Sequence, residues 1–470
     1  MAQLDSTAQT QQSLMEKVGT GLADWSERWF PDAYVFAALA VVIVVLAALA
    51  LGRSPVQVSV DFGKSYWSLV PFTMQMAFII IGGYVVAVSP PVRKLIIWLS
   101  QFPKTPKVAV AYVGLMAMLA SLISWGFSLI FAGMMMKEVS RRVKGVDYRA
   151  MGAAGYLGLG SIWALGLSSS AALLMATKSS IPPDLYKISG LITLDMTLFT
   201  WQNLALIVVI VVMSVWICYA SCPTADKAKT LEDAGYEAPQ DVIEAAGKPT
   251  RPGEYPEYSP ILNLILGGLI LVYLGHTFYT RGGLAALDLN IYNIMFLCAG
   301  MFLHWTPHNF LKAVSKAVPM TGGVLIQFPL YAGIFGVLMA SGLNDLLARF
   351  FVAVSSPDTL PVVGGIYSAI LGLFLPSGGG KWIVEAPYLL KAATELKVNL
   401  AWMVQVYNAA EALPNFVNPF WMLPLLGIAG VKARDLAGFS ILQLIIHTPV
   451  VLFMLWLLAK TLPFVPPVLG

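Results

Sequence analysis

The sequence predicts an all-α polytopic membrane protein made of two inverted-topology repeats, each with a re-entrant hairpin and a discontinuous transmembrane helix. Composition is the first observation: of 470 residues, 58% are hydrophobic and 11% charged, with a mean hydropathy of +0.74. Soluble domains carry about twice that charged fraction. Second, long apolar runs recur from Tyr34 to Leu458, continuous enough to cross a bilayer as helices and unlike the alternating strands of a barrel. Third, a helix breaker, Phe374-Leu375-Pro376-Ser377-Gly378-Gly379-Gly380-Lys381-Trp382, sits between two apolar segments. Backbone broken at membrane depth survives where it is buried in protein or lines a wet cavity.

Residues 1–32 hold Asp5, Glu16, Asp24 and Glu27 and no apolar core. A cytoplasmic or interfacial segment is expected there, with a helix around Trp25 to Phe30, rather than a signal peptide. The first repeat is expected over 33–221. Its spans run from Ala33 to Leu51 and from about Trp67 to Val88, around a loop with Arg53, Asp61 and Lys64. The next loop carries Arg93, Lys94, Lys104 and Lys107. The apolar stretch near 108–136 is interrupted at Ser124-Trp125-Gly126 and leaves into Lys137, Arg141, Arg142, Lys144 and Arg149. Two basic loops belong on one, cytoplasmic side, so this stretch is expected to turn back as a re-entrant hairpin. An arm of about 16 residues reaches roughly 24 Å. A glycine-rich span from about Ala150 to Met175 and another from Leu204 to Tyr219 complete the repeat.

Residues 222–258 are polar, with Pro223, Pro239, Pro252 and Pro256, and read as a cytoplasmic linker, mobile in part. The region 259–470 holds an extra span at about Ile261 to Phe278 and then the second repeat. Spans at Ile291 to Leu303 and Val318 to Met339 precede a loop at 342–358 with one basic residue, Arg349. The second hairpin lies near 360–393. Ala401 to Ala429 is broken between Pro414 and Pro419, and Phe439 to Leu458 is the last span. Gln75 and Ser89 recur as Gln327 and Ser341 at a shift of 252, Ser124 as Ser377 at 253, and Tyr156 as Tyr407 at 251. The extra span supplies the odd crossing that inverts the second half. Matching broken elements in inverted halves are the sequence pointer to a secondary transporter.

The chemistry is expected at those breaks. Ser124, Trp125 and Gly126 from one side and Ser377, Gly378, Gly379 and Gly380 from the other would meet near the midplane. Amides at a helix start suit a carboxylate, and hydroxyls and carbonyls suit a cation; back-bonding of Ser124 to a helix carbonyl is the plainer alternative. Glu411 is costly at membrane depth, and Asn415 and Asn418 follow it on the broken span, as ligand groups or as an interhelical clamp. The coupling-ion candidates are Glu411, Ser124, Ser377 and Asn415. Lys381 and Glu385 stand at i, i+4, either as a mutually neutralised pair or in contact with substrate. Ser168 and Ser169, with Trp163, occupy the matching place in the first half, for hydroxyl contacts and an apolar wall or for packing.

Other classes are excluded or unsupported. Cys218, Cys222 and Cys298 make no metal pattern. His276, His304, His308 and His447 are expected to be interfacial, and no metal or cofactor beyond a coupling Na⁺ or H⁺ is expected. No GxxxxGK[ST] phosphate loop, HExxH pair or GxSxG elbow in a usable context occurs, which argues against an ATP-driven pump and against an enzyme.

Several stretches resemble one family: Glu27-Arg28-Trp29-Phe30-Pro31-Asp32, Ser124-Trp125-Gly126-Phe127, Lys137-Glu138-Val139-Ser140-Arg141-Arg142, Pro376-Ser377-Gly378-Gly379-Gly380 with Trp382, and Pro419-Phe420-Trp421. Together they resemble the bacterial short-chain fatty acid transporters of the ion-transporter superfamily, over nearly the whole chain. The resemblance implies transport of acetoacetate, butyrate and similar acids across the bacterial inner membrane. It also implies inverted repeats, a homodimer and an elevator-like moving domain. Ser124, Gly126, Ser377, Gly378, Gly379, Glu411 and Asn415 match the site it implies, whereas Lys381 and Glu385 depart from it. An ion-coupled symporter of small monocarboxylates is therefore expected. The rivals are a carrier of dicarboxylates or other organic anions in the same superfamily, and an anion channel.

Overall fold

The computed structural model describes residues 33–224, 227–233, 249–375 and 377–467. The expected helix around residues 25–30, the motif Glu27 to Asp32, Pro376 and much of the linker lie outside them. Among the described residues every regular element is a helix. The first half runs α1 (Ala33–Ala50), α2 (Pro55–Ser65), α3 (Val70–Ala87), α4 (Pro90–Leu99), α5 (Pro106–Ile123), α6 (Trp125–Arg142), α7 (Tyr148–Leu157), α8 (Ser170–Ala176), α9 (Pro183–Ser189) and α10 (Trp201–Ser221). After the linker come α11 (Ile261–Thr280), α12 (Leu289–His304), α13 (Pro307–Ala317), α14 (Gly322–Ser341), α15 (Leu343–Val354), α16 (Leu360–Phe374), α17 (Gly378–Glu395), α18 (Leu400–Ala412), α19 (Leu423–Ala429) and α20 (Ala433–Ala459).

Seven helical stretches among the described residues are long and apolar enough to cross a membrane. Their burial divides them by place. The stretch Tyr148–Ala176 is 89% buried by the rest of the chain and Ile261–Thr280 is 22% buried, so α7 and α8 line the interior and α11 faces outward. Every residue of α18 is buried. That helix carries Gln405, Asn408 and Glu411, so the interior at its level is polar.

Four elements differ from the expected loops. Residues between the first spans form α2, and α4, α13 and α15 occupy stretches read as connections or as the ends of spans. Their apolar residues follow helical periodicity on one face with charged residues on the other, as in helices that lie along an interface. A search for continuous apolar runs passes over such helices. Likewise α6 continues two turns past Met136, so Lys137, Arg141 and Arg142 are helical, and Lys137 is buried. The glycine-rich span is interrupted: α7 gives way to a turn of π-helix at Gly158–Ile162 and a 3₁₀ turn at Trp163–Leu165.

Both breaks in the helix pairs have the same local cause. Ser124 is extended (φ −158°, ψ 125°) and its Oγ accepts from the Phe127 amide. Ser377 is extended (φ −149°, ψ 101°) and its Oγ accepts from the Gly380 amide. Each serine thus caps the helix that follows it, supplying an acceptor to an amide that has no intrahelical partner. Cross-links show that the arms run antiparallel. Ser128 Oγ donates to Ala117 O at 2.7 Å in the first pair, and Lys381 Nζ donates to Ser368 O at 2.6 Å in the second. The order α1, α2, α3, α4, α5/α6, α7 recurs as α12, α13, α14, α15, α16/α17, α18.

The linker is tied down near its start, and at its end Tyr258 stacks on His308 with ring centroids 4.3 Å apart. Lys229 N donates to Asp147 Oδ2 at 3.1 Å, and Tyr148 N donates to Lys229 O at 2.8 Å. Asp147 is buried, caps α7 and pairs with Arg149 at 2.6 Å.

Gly166 is required by close approach. A Cβ on Gly166 would lie 2.5 Å from the Leu122 Cα and carbonyl oxygen, where Leu167 N donates to Leu122 O at 2.7 Å. Backbone cannot rotate away as a side chain can. Gly166→Ala is expected to destabilise the protein by about 1–3 kcal/mol, read as a lower melting temperature of the detergent-purified protein.

Candidate substrate and coupling site

The first break is held from three sides. Trp125 N donates to Ser168 Oγ at 2.9 Å, and Tyr292 OH donates to Ile123 O at 3.0 Å. A Cβ on Gly83 of α3 would lie 2.7 Å from the Phe127 amide nitrogen, so α3 lies directly against the start of α6. Trp125 makes edge-on contacts with Trp163, centroids 6.5 Å apart, and with Trp421, 5.6 Å apart.

The second break is covered by aromatic rings. Cβ atoms on Gly378, Gly379 and Gly380 would collide with Trp163 at 2.2 Å, Phe72 at 2.6 Å and Tyr331 at 2.2 Å. Tyr407 OH donates to Gly378 O. The Gly380 amide, expected to await an anion, is bonded to Ser377 Oγ at 3.3 Å. Trp163 therefore stands between the two breaks, edge to Trp125 on one and against Gly378 on the other. The breaks are near one another through this ring, in a closed arrangement.

One turn into α17, Lys381 lies fully buried between two carboxylates. Its Nζ is 3.1 Å from Glu385 Oε1 and in ion contact with Glu411 Oε2. Glu385 Oε2 accepts from Ser368 Oγ. The ammonium also sits 4.7 Å from the centroid of the Tyr407 ring, a cation–π distance. Space for this cluster comes from Gly372 on α16, where a Cβ would lie 2.9 Å from Glu411 Oε2. The sequence pairs Lys381 with Glu385; the third member arrives from α18, and nothing local in the sequence announces it.

The other candidates are placed as follows. Asn415 turns away from Glu411, because the helix tightens to a 3₁₀ turn at Leu413–Phe416. Its Nδ2 donates to Leu159 O at 3.4 Å, and its carbonyl accepts from Tyr156 OH at 3.1 Å. Asn418 is buried beside it. Ser169 caps α8. Ser124, Ser377, Glu411 and Asn415 are thus distributed over the two breaks, the charge cluster and the π-turn, with no contact among the described residues joining all four. Residues beyond the sequence reading also contribute. Gln405 Nε2 donates to Asn203 Oδ1 at 2.6 Å and Asn408 Nδ2 to Gln405 Oε1 at 2.7 Å, a buried polar chain linking α18 to α10. His304 and His447, expected at interfaces, are buried. His304 Nε2 is 2.7 Å from Val85 O, and His447 Nε2 is 2.9 Å from Ser214 Oγ; these partners satisfy polar rings that packing draws inside.

Membrane-length helices around a buried polar interior define a multi-pass membrane protein. The chain belongs to the short chain fatty acid transporter family, whose model matches residues 14–458. It is 35% identical over 433 residues to the "Putative short-chain fatty acid transporter" of Escherichia coli (strain K12), covering 92% of this chain and 97% of that one. A protein of the same name from Haemophilus influenzae is 33% identical over 451 residues, covering 95% of this chain and 100% of that one. The fold is shared with the Alcanivorax borkumensis YdaH transporter, at a TM-score of 0.61 and 14% identity over 93% of this chain and 100% of that one. It is also similar to Neisseria gonorrhoeae MtrF, at a TM-score of 0.52 and 11% identity over 96% and 98% of the two chains.

The cluster makes a stability prediction. Lys381→Met leaves two buried carboxylates without a counter-charge, which is expected to cost about 3–5 kcal/mol. Adding Glu385→Gln and Glu411→Gln to the same chain should recover most of the lost melting temperature, because the unpaired charges then disappear.

Proposed function

We propose that the protein is a secondary active transporter of short-chain fatty acids, small monocarboxylates such as butyrate or acetoacetate, in a bacterial inner membrane. The observation that carries this reading is Trp163, set between two serine-capped helix breaks from the two halves of the chain. Ser124 and Ser377, with the amides of Gly126 and Gly378 to Gly380, would receive the carboxylate. Trp125, Trp163 and Trp421 would wall the short tail, which needs apolar surface and little volume. Asn415 and Asn418 would hold the broken α18 in register beside them. Entry requires that the rings of Phe72, Trp163 and Tyr331 withdraw from the glycines, which fits motion of the paired breaks as a unit, in an elevator-like manner within a homodimer.

The recurring order of elements supports two inverted repeats whose helix pairs are re-entrant. Coupling to Na⁺ or H⁺ would run through Glu411 and the hydroxyls beside the breaks. A dicarboxylate would need a second cationic group. Lys381 is the buried candidate, and it is already engaged by Glu385 and Glu411, which favours the monocarboxylate. Two closed breaks favour a carrier over a channel.

Uptake of labelled butyrate into proteoliposomes, with Na⁺ and pH gradients imposed separately, tests the reading. Saturable uptake and accelerated counterflow are expected, with Gly378→Ala slowing both at least tenfold, as its Cβ would collide with Trp163. Non-saturable flux without counterflow would overturn the carrier. For the inverted repeats, a cysteine at Lys144 in a Cys-free chain should resist impermeant reagent added to intact cells, while one at Ser356 should react. Equal labelling from outside would reject the inversion.

A further inference from the structure

The charge cluster does not balance. Lys381, Glu385 and Glu411 are 0%, 0% and 1% exposed, and with all three ionised the cluster carries one net negative charge. The titratable groups facing it are Tyr331 on α14, Tyr367 on α16, Tyr388 on α17 and Tyr407 on α18. Phenols stay neutral near pH 7 and offset nothing. An unbalanced charge without water is unfavourable by far more than a typical ion pair returns, so such a site takes up a cation or a proton.

The hydrogen bonding shows where it goes. Nζ donates to Ser368 O, and Glu385 has a second donor in Ser368 Oγ. Glu385 Oε1 and Glu411 Oε2 are buried and lie within ion-pair reach of Nζ, yet receive no hydrogen bond of good geometry. The ammonium already occupies the space between the carboxylates that Na⁺ would need, and two like charges at that separation repel strongly in a dry interior. A proton needs no such space.

We propose that Lys381, Glu385 and Glu411 form a one-proton binding site in which Glu411 takes the proton. The proton adds to a Glu411 carboxylate oxygen and forms a neutral carboxylic acid. Lys381 and Glu385 remain as a balanced pair, and the cluster passes from one negative charge to none. Glu385 is the poorer acceptor because Ser368 holds it as the anion. The site touches the second break directly: Tyr407, whose ring lies under Nζ, donates its hydroxyl to Gly378 O. The use of this proton in transport rests on the function proposed above; its binding does not.

Infrared titration of the full-length protein in lipid reads the carbonyl stretch of a buried carboxylic acid without any transport. Wild type is expected to gain one such band as pH falls, unchanged when Na⁺ replaces choline in the buffer. Glu411→Gln should lose it. Glu385→Gln should lose it too, since Lys381 then balances Glu411 and no proton is required. A wild type without the band overturns the site whether or not the variants fold. Persistence of the band in Glu411→Gln overturns the assignment of the proton, and its displacement by Na⁺ at constant pH overturns the proton in favour of the metal ion. Butyrate counterflow in the same vesicles separates the two readings. A titrating band without counterflow would reject the transport reading and keep the site, and counterflow without a band would do the reverse.

Discussion

The Lys381 ammonium, held between Glu385 and Glu411, is the interaction on which the interior depends. It is fully buried, and its ion-pair and hydrogen-bond partners come from three helices. Ser368 brings α16, Glu385 and the lysine itself belong to α17, and Glu411 brings α18. Gly372 leaves the gap that the charges fill. A buried ion pair is weak as a source of stability and strong as a specifier, since any arrangement that separates its members leaves a bare charge. The cluster thereby fixes how the second helix pair sits against the broken helix that follows it.

Around this fixed point the two breaks are assembled from ordinary local rules. A serine in extended conformation ends one helix and caps the next, twice. The difference lies in what covers them. The first break is pinned by hydrogen bonds to its backbone from Tyr292 and toward Ser168. The second is covered by rings, and its glycines allow those rings to approach the backbone closely. The rings of Phe72 and Trp163 rest on Gly379 and Gly378 by packing, while Tyr407 OH donates to Gly378 O.

Much of this was legible in the sequence, and the remainder was not for definable reasons. The apolar runs, the breaks at Ser124 and Ser377 and the recurrence of Tyr156 as Tyr407 all follow from composition and spacing, and the helices formed around them. The short helices α2, α4, α13 and α15 escape a search for continuous apolar runs because only one face of each is apolar. Lys381 and Glu385 could be paired because they share a helix face. Glu411 joins them from another helix, and Trp163 of the first half reaches across to Gly378 in the second; neither distance has a local signature. Asn415 was expected beside Glu411 on helical spacing, and Pro414 tightens the turn so that it faces Leu159 instead.

The order of helices recurs between the halves and the charge does not. Where Lys381 reaches across its helix pair to the Ser368 carbonyl, Ser128 makes the same reach to the Ala117 carbonyl with a neutral hydroxyl. The two helix pairs therefore match in backbone and differ in charge. A voltage across a bilayer would act on whatever net charge the Lys381 cluster carries, and at the matching place in the first pair it would meet a neutral hydroxyl.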